Sequence, residues 1–292
     1  MTANLTKPMF TDPEKAREYL ESVRWPRGPI CPHCGNVEKI TPLKGKSHRA
    51  GLYQCNDCRE PFSVTVGTLY ERSHIPLHKW LLATHLMSAS KKGISAHQLH
   101  RMLGITYKSA WFMSHRIREA MRPASMTPMG QGGGGVEIDE TYIGVDKTKT
   151  KSKHGPAHKN RVLSLVDRNS GRAVSMIADN MHAKTLIPIL QENIAREATI
   201  LTDGAPHFQI LPLLFAGHQS VDHGRKEYVR MSDRTVHTNT IEGFFSIFKR
   251  GMKGTYQHCK EKHLHRYLSE FDFRYSNRVG LGVDDVERTA RA

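Results

Sequence analysis

The chain lacks any run approaching the roughly 20 consecutive apolar residues that a membrane-spanning helix needs. Its N-terminus also has no apolar core of a secretory signal. Both absences argue against a membrane or exported protein, so the expected location is the cytoplasm. Cysteine is scarce, with 5 in 292 residues, and in a reducing compartment cysteines serve metal binding more readily than disulfides. Acid is in short supply too: 28 Asp and Glu stand against 43 Lys and Arg, a formal charge of +15. A surplus of that size points to a polyanionic partner. Internal repeats are absent.

What is present is unevenly spread. Residues 1–130 hold 19 Lys and Arg against 9 Asp and Glu, whereas residues 131–292 hold 24 against 19. The basic excess therefore sits in the front part, where a DNA-reading region belongs if phosphates supply most of the affinity. The stretch Pro123 to Gly135, with Pro128 and the run Gly132-Gly133-Gly134-Gly135, reads as a linker. The expected layout is an N-terminal helix and cysteine module over 11–70, a helical region over 71–122, a Gly-rich linker over 123–135 and a catalytic part over 136–280.

Cys31-Pro32-His33-Cys34 and Cys55-Asn56-Asp57-Cys58 give the spacing C-x₂-C-x₂₀-C-x₂-C. Two such knuckles offer four thiolates to one tetrahedral Zn²⁺, in a closed and therefore structural site. Gly35 permits the tight knuckle turn, and Tyr53 and Phe62 offer apolar cover. Cys259 stands apart as an ordinary thiol.

Ser95 to Arg118 reads as two helices joined at Gly104-Ile105-Thr106. Ala96, Leu99, Met102 and Leu103 fit one inner face, and Ala110, Trp111 and Met113 fit the other helix. On that second helix Lys108, Arg116 and Arg118, with Ser109 and Ser114, are candidate donors to phosphates and base edges. A helical hairpin that merely packs is the plainer reading of the same pattern.

Beyond the linker, strands are expected at 136–143, 161–167 and 172–178, with Asn169-Ser170-Gly171 turning the last two into a hairpin. A helix over 183–196, a strand at 199–203, a short helix near 206–215, a strand near 218–222 and a long helix from about 240 follow. This order is that of a ribonuclease-H-like α/β core. Between the first two strands lies a basic loop, Lys147 to His154. Three acids fall where this frame would use them. Asp139 lies in Val136-Glu137-Ile138-Asp139-Glu140-Thr141-Tyr142, Asp203 ends Thr199-Ile200-Leu201-Thr202-Asp203 before a glycine, and Glu242 opens Asn239-Thr240-Ile241-Glu242. Of the neighbours Asp139 and Glu140, only one can face a shared site, and Asp139 is in phase with Glu137 and Thr141. Carboxylates from two strands and a helix suit hard divalent cations held against a phosphodiester.

At about 100° per residue, Asn239, Glu242, Ser246, Lys249 and Lys253 share one helix face, opposite Ile241, Phe245, Phe248 and Met252. Asn239-x-x-Glu242 also fits a capping box, which would make Glu242 a helix-start residue.

Several motifs in this order carry a resemblance. They are Cys31-Pro32-His33-Cys34-Gly35, Gly67-Thr68 with Trp80, Ile138-Asp139-Glu140-Thr141-Tyr142, Thr202-Asp203-Gly204, His237 to Ser246 with Lys249-Arg250-Gly251, and His265-Arg266-Tyr267-Leu268 through Asn277-Arg278. The chain resembles bacterial insertion-sequence transposases with a DDE-type catalytic domain, the zinc-ribbon-bearing ISXO-two-like group, from about residue 15 to 278. The resemblance implies a ribonuclease-H-like fold and two catalytic Mg²⁺ or Mn²⁺ ions at Asp139, Asp203 and Glu242, with Asn239 competing for the third position. It implies Lys249 as the basic residue after the third acid. It also implies DNA partners (terminal inverted repeats and a target), a homo-oligomeric synapse, nucleoid association when DNA is bound, and cleavage followed by strand transfer. The alternatives are a domesticated, non-catalytic DNA-binding regulator and a structure-selective nuclease of the same fold.

Overall fold

Asp12 opens the first long helix: its side chain accepts from Lys15 N at 2.8 Å, and Pro13 follows at the first helical position. A computed structural model describes residues 5–123, 127–145, 150 and 158–292. The chain divides into two units, one drawn from Met1–Ala89, Ala96–Ile117 and Thr289–Ala292, the other from Ser90–Ser95 and Arg118–Arg288. The Lys147–His154 segment, apart from Thr150, lies outside the described residues.

In the first unit a single turn, α1 (Pro8–Thr11), precedes α2 (Pro13–Arg24). A three-stranded antiparallel ribbon follows, β1 (Ile40–Pro42), β2 (Tyr53–Cys55) and β3 (Pro61–Phe62). Trp25 meets Tyr53 and Phe62 edge-on at 5.6 and 5.7 Å, sealing an apolar cluster around Cys31 and Cys55. The Arg24 guanidinium donates to Val64 O and Val66 O at 2.7 and 2.6 Å, pinning the end of α2 to the ribbon's exit. Three helices follow: α3 (Leu77–Ala89), α4 (Ala96–Leu103) and α5 (Tyr107–Ala120), the last of which belongs to this unit as far as Ile117. Gly104, at φ +58, makes the turn between α4 and α5, and Thr106 Oγ1 caps α5 by accepting from Ser109 N.

The second unit is built on a five-stranded mixed sheet. Its strands are β4 (Gly135–Ile143), β5 (Asn160–Asp167), β6 (Ala173–Ile177), β7 (Thr199–Thr202) and β8 (Gly217–Ser220), in the order β6-β5-β4-β7-β8. The β4, β5 and β6 strands run antiparallel, and β7 and β8 join parallel to β4. With helices on both faces, this is a ribonuclease-H-like core. The β5–β6 turn is local chemistry: Asp167 Oδ1 accepts from Asn169 N and Ser170 N, and Gly171 takes φ +68.

Alternation along β4 separates two cores. Val136 and Ile138 pack with Leu186 and Leu190 of α6 (Ala183–Asn193). On the other face, Ile143 and Val162 pack with Ile241, Phe244, Phe245 and Phe248 of α7 (Asn239–Gly251) and Phe271 of α8 (Glu261–Ser276). The helix expected near 206–215 is instead two 3₁₀ turns, Pro206–Phe208 and Leu211–Leu213; Pro206 and Pro212 lack the N–H that a continuous helix requires. Met129, within the stretch read as a linker, is fully buried, and its N–H donates to Asn193 O.

Candidate functional site

Cys31 Sγ lies 3.7 Å from Cys58 Sγ, and Cys34 Sγ lies 3.6 Å from Cys55 Sγ. All four sulfurs fall within 4.8 Å of one another, the one such group of metal-ligating side chains among the described residues. Thiolates about 2.3 Å from a central zinc form a tetrahedron with edges of about 3.8 Å, so the donor set fits Zn²⁺. Gly35, at φ +78, turns the first knuckle and donates its N–H to Cys31 O at 2.9 Å. The Cys58 backbone N–H draws the Cys55 thiol down to about 7, toward the thiolate form that binds metal. Cys259 is a separate thiol, pushed up to about 11 by burial.

Asp139 sits at the middle of β4, on the α7 side. Its Oδ1 accepts from Glu140 N at 2.7 Å. Burial pushes its carboxyl up to about 7, and the charges of Asp203, Glu140 and Glu242 push the same way. Asp203 follows the last residue of β7, and its Oδ1 accepts from Ala205 N at 3.1 Å in a tight turn. Gly204 takes φ +75 there, and a Cβ on it would come within 3.3 Å of Val221 O. Glu242 lies in the first turn of α7, where Thr238 Oγ1 donates to its Oε1 at 3.3 Å and His223 Nε2 lies 3.5 Å away. The three acids are neighbours by charge and are spread more widely than the thiols. Acidic side chains whose charges converge on Asp139 are the donor set a hard divalent cation prefers.

Glu140 points to the other face of β4, where its Oε2 lies 3.3 Å from His207 Nε2. The capping box does not form. Thr238, not Asn239, precedes the first turn of α7, and the Asn239 N–H donates to His237 Nδ1. The Asn239 side chain is exposed. Lys249 is exposed two turns beyond Glu242, its Nζ 5.7 Å from the Phe245 ring centre.

The candidate DNA contacts on α5 divide. Lys108 is exposed in the first turn. Arg116 donates to Glu71 O at 3.0 Å and lies over the Trp80 ring. Arg118 is not a surface donor: it is 2% exposed, its Nε is 2.7 Å from Glu270 Oε2, and its guanidinium lies 4.1 Å from the Tyr267 ring centre. Ser114 is buried as well, whereas Met102, expected on the inner face of α4, is exposed. The inward stripe of α5 is wider than the apolar residues alone indicate, because Ser114, His115 and Arg118 share it with Ala110, Met113 and Ile117.

Residues 131–276 match the ISXO2-like transposase domain, and residues 11–60 match the transposase zinc-ribbon domain. The chain belongs to the ISXO2-like transposase family. A relative described as an uncharacterized protein in transposable element ISH50 of Halobacterium salinarum is 27% identical over 91% of this chain and 91% of its own. An uncharacterized transposase-like protein of Haemophilus influenzae is 21% identical over 36% of this chain and 82% of its own. Among solved structures, a chain of the simian T-cell lymphotropic virus intasome in complex with PP2A regulatory subunit B56 gamma is 14% identical. The likeness covers 60% of this chain and 63% of that one, with a TM-score of 0.30.

Around the acids of this family member stand residues that the sequence reading passed over. Glu137, noted there only for its phase, is fully buried with its carboxylate on Arg168 and on the start of α7. His223 and Thr238 flank Glu242. A charged residue in the middle of a strand, two places from a candidate ligand, was the one available signal.

Proposed function

We propose that the chain is a DNA transposase that cleaves the phosphodiester at an element end and transfers the freed strand into target DNA. The observation that carries this reading is Asp139, raised to about 7 by burial and by Asp203, Glu140 and Glu242, on the central strand of a ribonuclease-H-like sheet. Asp139, Asp203 and Glu242 would hold Mg²⁺ or Mn²⁺, and such ions supply the Lewis acidity for phosphoryl transfer. The protein's own part is positional. Asp139, Asp203 and Glu242 would act as one acid cluster, and Lys249, two turns along α7, would receive a phosphate of the DNA strand. In the first step a water oxygen bonds to phosphorus as the P–O3′ bond breaks, and the leaving oxygen takes up a proton as a 3′-hydroxyl. That hydroxyl's oxygen then bonds to a target phosphorus as the target's own P–O3′ bond breaks, its proton passing to the released target 3′-hydroxyl, so that the strands are joined with no covalent protein intermediate. Two ends must be brought together, so a dimer or larger synapse would act, in the cytoplasm. Lys108 and the basic front part would hold the terminal repeats, and the zinc ribbon would have a structural role.

Labelled element-end DNA with a target plasmid and Mn²⁺ tests the reading. Cleavage followed by joining supports it. Cleavage without joining indicates a nuclease, and binding without cleavage indicates a regulator; either result overturns it.

A further inference from the structure

The helix that carries Glu242 is capped from another part of the chain. A helix N-terminus leaves its first N–H groups unpaired, and a Ser, Thr, Asp or Asn just before the helix normally accepts from one of them. Thr238 holds that place in α7 but makes no such bond; its hydroxyl goes to Glu242 instead. The Ile241 N–H donates to Glu137 Oε2 at 2.8 Å, from the middle of β4. The carboxylate also faces the positive end of the helix dipole. Arg168 completes the arrangement. Its Nε donates to Glu137 Oε1 at 2.7 Å, and its other nitrogens donate to Thr235 O, to His237 O at 2.7 Å and to His237 Nδ1 at 2.8 Å. One guanidinium thus grips both the capping carboxylate and the strand of chain entering α7.

The spacing gives this clamp its consequence. Glu137 is two residues before Asp139 on the same face of β4, and Ile241 is one residue before Glu242. The Ile241–Glu137 bond therefore fixes, through one short path, the separation of an acid on the sheet from an acid on the helix. A local cap would have started the helix equally well without setting its distance from the sheet. Arg168 pairs a carboxylate that would otherwise be an unpaired charge in a sealed site.

We propose that Glu137 and Arg168 are positioning residues that set Glu242 against Asp139 and so determine how tightly the acid cluster holds a divalent cation. This rests on the reading of the acids as a metal site. Outer partners of metal ligands typically change affinity by about 10–100-fold when removed.

The test is titration of the full chain with Mn²⁺, followed by the paramagnetic resonance signal of the free ion, at a temperature where circular dichroism shows each variant folded. Arg168→Lys keeps the charge but loses the fork, and Glu137→Gln keeps the shape but loses the pair. Both should retain their zinc yet need about tenfold or more Mn²⁺ for half-saturation. Wild-type affinity in folded variants would overturn the proposal, since a merely structural role lowers the melting temperature and leaves Mn²⁺ affinity alone. If a single variant strands a buried charge and fails to fold, Glu137→Gln with Arg168→Met removes both charges and is read the same way. A measurement on the wild type needs no variant to fold. By linkage, Mn²⁺ should slow hydrogen exchange at the Ile241 amide, and unchanged exchange would sink the coupling. Asp139→Asn separates the two levels. If it binds Mn²⁺ as the wild type does, the acids are not the metal site, and the reading falls together with the clamp.

Discussion

Asp139 and Asp203 are set side by side by strand register. Glu137 of β4 is partnered with Leu201 of β7 in the parallel pair, and each acid lies two residues further along its own chain. Beyond burial, the charge of Asp203 is the strongest influence raising the Asp139 carboxyl. Two acids so placed repel unless a proton or a cation lies between them.

Asp139→Asn and Asp203→Asn should therefore lower metal-dependent cleavage of element-end DNA by more than about 100-fold, the upper end of what outer partners of a ligand cost. Affinity for the same DNA should stay near wild type. A gel-based cleavage assay run beside a binding isotherm checks both halves.

Glu242→Gln should be folded and inactive, whereas Asn239→Ala should keep most of its activity. Asn239 is exposed and its backbone N–H is held by His237, while the charge of Glu242 reaches Asp139. Cleavage rates and melting curves of both variants separate the two positions; the reverse pattern makes Asn239 the third residue.

Lys108 and Arg118 should behave oppositely although both lie on α5. Lys108→Ala should change stability by less than about 0.5 kcal/mol and weaken DNA binding, flattening the slope of log affinity against log salt by roughly 0.9. Arg118→Met removes one of two buried arginines on Glu270, the other being Arg274, and should destabilise the fold by about 1.5–3 kcal/mol, the worth of a hydrogen bond to a charged group. Urea denaturation and salt-dependent binding read the two effects.

Zinc should be present at one per chain and should resist mild chelation. Cys34→Ser should lose it, and with it the ribbon order around Trp25, read from its fluorescence. Elemental analysis of protein purified without chelator gives the stoichiometry.

Asp272 should make stability fall as pH rises. Its carboxylate accepts from Ser175 N and Oγ, each at 2.7 Å, yet burial pushes it up to about 7, well above the unfolded value of about 3.9. The folded chain keeps a proton that the unfolded chain releases, so this contribution is full below about pH 4 and is lost as pH rises through about 7. Asp139 acts with the same sign. Asp272→Asn should flatten part of that decline, measured as denaturation midpoints across the window.

The cysteine spacing, the β5–β6 turn and the apolar stripe of α7 could be read from the chain because each is local: a motif of a few residues, or a period of 2 or 3.6, writes itself into consecutive letters. The sequence by itself thus determined most element types, though not the two 3₁₀ turns over Pro206–Phe208 and Leu211–Leu213, together with the zinc donors and the three acids to consider. Tertiary structure decided what each charged side chain faces. Arg118 looks like a surface donor until α8 brings Glu270, 152 residues away, against it. Glu137 looks like a strand polar residue until Ile241, 104 residues on, presents an unpaired N–H to it. Periodicity tells which side of an element a residue occupies, but not which distant partner arrives there, and buried charges are assigned by that partner alone.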